Sequence, residues 1–247
     1  MNFLASPNLP RSLHSEPGMR VMLVSARYPF VAEDLERLGV LAIPVEAYPK
    51  LPEPVACHPD LVCHHLGGNR ILVYPGNPAL DNALKKLGME LLRPTVPAGK
   101  KYPADTALCA ARMGDRLFCR ESSTDPVLLR ECGRVRNVRQ GYTKCSTLIV
   151  DERSAITSDA GIAAALEEEE MEALLISPGK ILLESYDTGF IGGCGGKISR
   201  DRMYFTGKLR HPDAVRIRKF LEIRGIEPVE GSGEELIDVG SLLPLTE

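Results

Sequence analysis

The 247-residue sequence lacks several features that would each assign it to a broad class of protein. It has no apolar run long enough to cross a membrane, and its first residues, MNFLASPNLPRSLHSEPG, lack the charged start and apolar middle of a secretory signal. It also lacks a basic stripe, since the net charge is −3 and the pI is about 6.0. We therefore expect neither a membrane nor a nucleic acid as a partner.

The seven cysteines do not form the even, regularly spaced set of a disulfide framework, which indicates a protein of the reducing cytoplasm. No paired CxxC motif, HExxH helix or nucleotide-binding glycine loop is present, so we predict neither a metal nor a cofactor. One alternative is a zinc site built from the donors of a single segment. These donors are Cys57, His58, Cys63, His64 and His65. Neighbouring strand residues point to opposite faces, which weakens that alternative.

A pattern of two short strands joined by a tight turn occurs four times along the chain. Small polar residues that favour hairpin turns stand at Gly68-Asn69, Gly114-Asp115 and Arg200-Asp201. A fixed repeat of this kind determines the architecture of the whole chain. The four copies cover residues 58–76, 103–121, 142–159 and 190–207.

Each predicted hairpin leads into a helical pattern and then a third short strand. Asn77 and Asp125 each precede a proline, as at the start of many helices, and Gly88 and Gly225 stand where helices would end. The predicted helices cover residues 77–88, 125–133, 159–175 and 211–225. Each repeat therefore has the order ββαβ.

A fifth repeat is divided between the two ends of the chain. Residues 18–46 supply a second hairpin strand, a helix and a third strand, and residues 235–245 have the character of the missing first strand. Pairing of these ends would close the repeats into a ring without an exposed edge at that point. We predict an α/β, five-bladed propeller with pseudo-fivefold symmetry, formed as one domain by residues 18–247 after a tail at residues 1–17.

A ring of five ββαβ units over residues 18–247 resembles the pentein fold, also called the guanidino-group-modifying-enzyme fold. Within it, the closest match is a group of bacterial proteins of unknown function. Other members are arginine and agmatine deiminases, dimethylarginine dimethylaminohydrolases and amidinotransferases, but a ribosome anti-association factor also has this fold. The resemblance therefore implies the architecture more strongly than the activity.

The resemblance implies that the first hairpin strand of every unit lines an axial channel. Five residues at matching positions, 39 to 48 residues apart, would then converge on the axis. They are Asp60, Asp105, Lys144, Gly192 and Asp238. Their carboxylates would attract a small cation, and a guanidinium offers donors suited to them. The alternative is that the aspartates only cap turns and strand ends.

Enzymes of this fold use a cysteine nucleophile and the histidine of a His-x-Asp motif. His58-Pro59-Asp60 matches that motif, and the GGCGG segment around Cys194 is similar to the glycine-rich approach to the nucleophile. The resemblance thus implies Cys194 as nucleophile, His58 as acid and base, and Asp60 as a further catalytic residue. Cys63 is a rival nucleophile, and each cysteine could instead be a small core residue.

The sequence departs from the enzymes at the last channel strand, where they carry the cysteine and this chain has Ser241 within IDVGSLLPL. Two functions remain open. One is a cysteine-dependent hydrolase or amidinotransferase-like enzyme acting on a small guanidine, amidine or cationic amine. The other is a non-catalytic binding protein. The enzyme requires Cys194 Sγ and the His58 ring to lie within about 4–5 Å of each other.

Overall fold

The computed structural model describes residues 20–246, so the predicted tail at residues 1–17 lies outside the described residues. Within this range, short strands form five three-stranded sheets. In chain order the strands are β1 (Arg20–Ser25), β2 (Val40–Val45), β3 (Cys63–Gly67), β4 (Arg70–Val73), β5 (Glu90–Leu92), β6 (Ala111–Met113), β7 (Arg116–Cys119), β8 (Arg134–Asn137), β9 (Thr147–Asp151), β10 (Ser154–Thr157), β11 (Glu172–Leu175), β12 (Gly195–Lys197), β13 (Arg202–Gly207), β14 (Glu227–Gly233) and β15 (Leu243–Thr246).

Every sheet has the same topology. The first strand of the unit pairs antiparallel with the second, and the second pairs parallel with the third, as in β3-β4-β5. The other sheets have the orders β6-β7-β8, β9-β10-β11, β12-β13-β14 and β15-β1-β2. The predicted ββαβ repeat is confirmed, and the chain is a five-bladed α/β propeller.

The two ends of the chain meet in one sheet. Strand β15 pairs antiparallel with β1, with Val21 opposite Thr246 and Leu23 opposite Leu243. The strand begins later than the predicted 235–245, because the residues before it enter hydrogen bonds with another unit. The amides of Val239 and Ser241 both donate to the Gly193 carbonyl, at 2.9 and 3.2 Å.

Longer helices connect the second and third strands of each unit. They are α1 (Pro29–Arg37), α3 (Pro78–Lys86), α4 (Pro126–Glu131), α6 (Ala160–Glu168) and α7 (Ala214–Glu222). Asn77 and Asp125 cap α3 and α4 through side-chain oxygens that accept from Leu80 N at 3.0 Å and Val127 N at 2.8 Å. These caps satisfy amides that have no partner within the helix, so the predicted starts are confirmed.

One helix is shorter than its sequence pattern predicts. The pattern favours helix through residue 175, but α6 ends at Glu168 and residues Glu172–Leu175 form β11. Glu170 turns the chain with a φ of 57°, and Ile176 N continues the pairing with Thr157 O at 2.9 Å. Helix propensity is a weak preference even for a good helix former such as glutamate, so completing the sheet through parallel pairing with β10 determines the local structure here.

Shorter helical segments precede the first strand of several units. They are the one-turn helices α2 (Pro59–Val62) and α5 (Thr143–Ser146) and the 3₁₀ turn Ile191–Cys194 before β12; a further 3₁₀ turn covers Glu53–Val55. The largest hydrophobic cluster joins residues from three units and from the strands near both chain ends, including Leu23, Leu72 and Leu245. Among residues 20–246, no helix is long and apolar enough to cross a membrane.

Truncation of Leu245 tests whether β15 is part of the cooperative core. Leu245 is fully buried, and we expect Leu245→Ala to lower the free energy of unfolding by about 2–5 kcal/mol. The control is Leu41→Ala on β2, where the side chain is 39% exposed and the loss should be below about 1 kcal/mol. Urea unfolding of both variants measures the difference. Equal, small effects would mean that β15 frays from the ring.

Candidate functional site

The short helical segments place polar side chains from different units at the centre of the ring. His58 precedes α2, Asp60 lies in its first turn, and Lys144 and Cys145 lie on α5. The segment that leads into β15 contributes Asp238 and Ser241. Backbone hydrogen bonds hold these segments together, since Asp60 N donates to Gly240 O at 3.2 Å. The polar and ionisable side chains of the site therefore lie on the segments just before the first strands of their units.

Asp60 is the common acceptor of a buried hydrogen-bond network. Its Oδ2 accepts from Ser241 Oγ at 2.7 Å and from Cys145 Sγ at 2.9 Å. Lys144 Nζ donates to Ser241 Oγ at 3.1 Å, so the Ser241 hydroxyl bridges the ammonium and the carboxylate. Ser241 has a φ of 66°, a conformation that L-residues rarely adopt, which indicates that the surrounding packing holds it there.

Burial determines the charge state of this network. It raises the pKa of Asp60 to about 6, although Lys144 and the hydrogen bonds from Cys145 and Ser241 oppose the shift. Burial also lowers the pKa of Lys144, and the Asp60 carboxylate opposes that shift. The two groups therefore depend on each other: removing either would leave an uncompensated charge in the interior.

A cavity of about 100 Å³ opens beside this network, and we call it the axial cavity. A histidine, a cysteine, an aspartate, a threonine and several apolar or aromatic side chains line it. They are Val55, His58, Tyr142, Cys145, Leu183, Tyr186, Thr188, Phe190 and Asp238. Tyr186 is 43% exposed and marks the solvent side of the cavity.

Three reactive groups converge on the axial cavity from three units. A ring nitrogen of His58, Cys145 Sγ and a carboxylate oxygen of Asp238 all lie within 4.8 Å of one another. His58 is 1% exposed, and among the described residues its Nε2 has no hydrogen-bond partner. Burial and the neighbouring Arg27 charge lower the pKa of His58 to about 3, so its ring is neutral and one of its nitrogens keeps a free lone pair.

Asp238 is the carboxylate that faces the cavity. Its Oδ2 accepts from Phe190 N at 2.9 Å and its Oδ1 from Gly240 N at 3.0 Å. Burial raises its pKa to about 7; the Phe190 amide opposes this, and the nearby Asp60 adds to it. Any side chain at Gly193 would overlap the Asp238 carboxylate, so a glycine is required there.

Cys194 does not reach the axial cavity, and the prediction that it is the nucleophile is wrong. It is fully buried in a hydrophobic cluster with Leu148 and Phe205, and its Sγ donates to Ile191 O at 3.1 Å. Burial raises the pKa of its thiol well above the usual value. The glycines around it allow close packing against Lys144 and Asp238 and do not open a path for a substrate.

Two further predicted residues lie outside the group. Cys63 is fully buried in the hydrophobic core at the start of β3 and does not line the axial cavity, so a substrate there would not reach it. Asp105 accepts a hydrogen bond from the Tyr142 hydroxyl, and it is Tyr142 that lines the cavity. Asp105 therefore positions an aromatic wall and is not in contact with the cavity itself.

The repeat alignment predicted that Asp60, Asp105, Lys144, Gly192 and Asp238 would lie together. Asp60, Lys144 and Asp238 do lie in one group, and His58 of the His-x-Asp motif lies beside them. Gly192 joins the group through its carbonyl, 2.9 Å from Ser241 Oγ. The zinc donors considered within one segment are dispersed instead. His64 Nδ1 bonds to Leu108 O at 3.2 Å and His65 Nε2 to Gly68 O at 2.9 Å.

A comparison with models of protein families identifies the family of this chain. Residues 23–243 match the model of a family described as "Family of unknown function (DUF6873)". The chain belongs to this family. A comparison with curated protein sequences finds no match.

Solved structures with the same fold are enzymes that act on guanidino groups. SxtG, an amidinotransferase of the saxitoxin pathway from Microseira wollei, is 12% identical, with a TM-score of 0.51 over 94% of this chain and 91% of its own. The dimethylarginine dimethylaminohydrolase of Pseudomonas aeruginosa, in complex with citrulline, is 11% identical, with a TM-score of 0.53 over 86% and 92%. The inosamine-phosphate amidinotransferase StrB1 of Streptomyces griseus is 11% identical, with a TM-score of 0.51 over 94% and 95%. At these identities the likeness shows the pentein fold.

Sequence reasoning missed Cys145 and the aromatic wall of Tyr142 and Phe190. The repeat alignment reached Lys144, one residue before Cys145, but adjacent residues of a one-turn helix point in different directions. Lys144 therefore turns to Ser241 while Cys145 turns to the cavity. Counting one position beyond the aligned residue would have identified Cys145 as a candidate.

Of the three candidate nucleophiles, Cys63, Cys145 and Cys194, a small thiol reagent should modify Cys145 first, because it alone lines the axial cavity. We expect methyl methanethiosulfonate to react slowly at about pH 7 and faster towards about pH 10, because burial raises the pKa of the Cys145 thiol and only the thiolate attacks. Peptide mass mapping identifies the site. Cys145→Ala should abolish the first modification and Cys194→Ala should preserve it; first labelling at Cys194 or Cys63 would contradict this assignment.

Proposed function

We propose that the axial cavity binds the guanidinium or amidinium head group of a small cation, and that Cys145 attacks the central carbon of that group. One observation carries the proposal: the Cys145 thiol, a ring nitrogen of His58 and the Asp238 carboxylate lie within 4.8 Å of one another at a cavity. The guanidino-modifying enzymes of the same fold support the choice of chemistry. The size of the cavity, about 100 Å³, suits a head group whose remainder extends past Tyr186.

Two carboxylates provide the countercharge. Asp238 faces the cavity directly, and Asp60 lies behind Cys145, which donates a hydrogen bond to it. Among the described residues, Asp60 Oδ1 has no hydrogen-bond partner, so it is able to accept a further donor. A planar cation with several N–H groups can donate to carboxylates in fixed geometry, which a simple ammonium cannot do as well.

The proposed reaction begins with the proton of the Cys145 thiol. A bound cation beside the sulfur would favour the thiolate, and the proton would pass to Asp60, which already accepts a hydrogen bond from the thiol and has a higher pKa than the His58 ring. The thiolate adds to the central carbon, the leaving amine or ammonia takes up that proton, and the neutral His58 ring accepts a hydrogen bond from the bound group. Water would then release the substrate as a urea or amide in a hydrolase, and an acceptor amine would take the group in a transferase.

A second function is non-catalytic binding of the same cation. It is favoured because the Cys145 sulfur is a protonated thiol. The Cys145 thiol donates to Asp60, and burial raises its pKa well above the usual value. The segment that leads into β15 carries Ser241, which is buried and hydrogen-bonded to Asp60. The enzymes that this fold resembles carry a cysteine at that place. A protein of this kind would bind the cation and leave it unchanged.

Binding of methylguanidine should strengthen as the pH rises from about 5 to about 8. Below their pKa values of about 6 and about 7, Asp60 and Asp238 are protonated, so each must lose a proton before its negative charge attracts the cation. The affinity should therefore change by up to about tenfold per pH unit for each carboxylate. Isothermal titration calorimetry across this range measures the slope.

Asp238→Asn should weaken binding by more than about tenfold at pH 8 and remove the upper part of the slope. The matched control is Asp115→Asn, whose carboxylate is 63% exposed on a hairpin turn and should leave binding unchanged. Equal affinity in the two variants would contradict the proposed site. An affinity that falls with rising pH would contradict it as well.

Cys145→Ser should separate catalysis from binding. The serine hydroxyl can keep the hydrogen bond to Asp60 but is a poor nucleophile, so we expect methylguanidine binding within about threefold of the parent and no turnover of a panel of guanidines and amidines. Product analysis and intact-protein mass spectrometry for a covalent adduct are the measurements. Cys194→Ala is the control and should retain activity. Binding without turnover or adduct in the parent protein would establish the non-catalytic function; turnover by Cys145→Ser would refute the role of Cys145.

A further inference from the structure

The group at the axial cavity has the composition of a metal-binding site. It offers one imidazole nitrogen from His58, one thiol sulfur from Cys145 and one carboxylate oxygen from Asp238, all within 4.8 Å of one another. Nitrogen, sulfur and oxygen donors in one set are those of zinc sites, and three protein ligands are the number found where zinc retains an open position. The three residues come from three units of the ring, so no short sequence motif identifies this set of ligands.

The buried imidazole supplies a second, independent observation. His58 is 1% exposed, and its Nε2 has no hydrogen-bond partner among residues 20–246. An unpaired polar atom in the interior is costly and needs a reason, such as an ion that it would bind. The neighbouring cavity of about 100 Å³ also has room for water as a fourth ligand, because one water occupies about 30 Å³.

We propose that His58, Cys145 and Asp238 form a site for a zinc-type divalent cation, with water from the axial cavity as the fourth ligand. Cys145 would lose its proton to solvent on binding, so the thiolate and the Asp238 carboxylate together balance the two positive charges of the ion. Asp238 can act as a ligand while its oxygens accept from Phe190 N and Gly240 N, because each oxygen has two lone pairs. Such hydrogen bonds orient a ligating carboxylate.

A competing set shares the same sulfur. Asp60, Cys109 and Cys145 also bring ligand atoms within 4.8 Å of one another, and the two sulfurs are 3.8 Å apart. The first set is favoured for two reasons. Neither Asp60 nor Cys109 lines the axial cavity, so an ion there would lack access to water, and Asp60 Oδ2 already accepts from Ser241 Oγ at 2.7 Å.

Titration of the purified, chelator-treated protein with Co²⁺ tests the site. We expect one equivalent to bind, with visible d–d bands of a four-coordinate ion and a near-ultraviolet thiolate-to-cobalt band, and Zn²⁺ to displace it. Cys145→Ser should abolish the thiolate band. His58→Gln and Asp238→Asn should each weaken binding by more than about tenfold. The matched control, Cys109→Ser, should bind as the parent does.

Several results would overturn the proposal. These are the absence of a thiolate band in the parent protein, a band that survives Cys145→Ser, and loss of binding in Cys109→Ser with retention in Asp238→Asn, which would place the ion at the competing set. Near-ultraviolet circular dichroism and urea unfolding identify variants that fail to fold. Where His58→Gln does not fold, the Asp238→Asn and Cys109→Ser pair decides the outcome.

The metal and the organic cation would occupy the same cavity, so their binding should be mutually exclusive. Methylguanidine calorimetry on the metal-free protein and again with saturating Zn²⁺ measures this. Methylguanidine binding without cobalt binding would refute the metal site and leave the proposed function in place. Cobalt binding without methylguanidine binding would support the metal site and refute the proposed function.

Discussion

The hydrogen bond from Ser241 to Asp60 joins side chains 181 residues apart and depends on the closed ring. Pairing of β15 with β1 brings the end of the chain back beside its first unit, so that Ser241 and Asp238 reach the axis. Without that pairing, the unit of β3 would still supply Asp60 and the unit of β9 would supply Lys144 and Cys145, but the carboxylate of the axial cavity and the bridging hydroxyl would be missing. Assembly of the site therefore depends on the pairing of the two ends of the chain.

The centre of the ring holds more ionisable groups than a core normally tolerates. Asp60 and Lys144 compensate each other through Ser241, whereas Asp238 relies on two backbone amides and His58 on being neutral. Each of these arrangements reduces the free-energy cost of burying a charged group. A hydrophobic centre would stabilise a protein of this size more simply, so the retained polar groups indicate a function at the axis.

The sequence predicted well those elements that local chemistry determines. Asn77-Pro78 and Asp125-Pro126 begin α3 and α4, because a capping side chain followed by proline favours a helix start, and the small residues at Gly68-Asn69 suit a tight turn. It failed where distant pairing competes with local preference. The acidic run after Ala160 favours a longer helix than α6, and the segment before Leu243 has the composition of a strand but bonds to Gly193 instead.

The sequence alone determined the five-unit repeat, the division of one unit between the chain ends, and the matching positions of Asp60, Lys144 and Asp238 within their units. Periodicity carries that information, because each unit repeats the same order of strands and helix. Only the tertiary structure decided which cysteine faces the cavity. Cys145 and Cys194 occupy similar places before a first strand, but a one-residue change along a helical turn rotates a side chain from the core to the axis, and no pattern in the letters records that rotation.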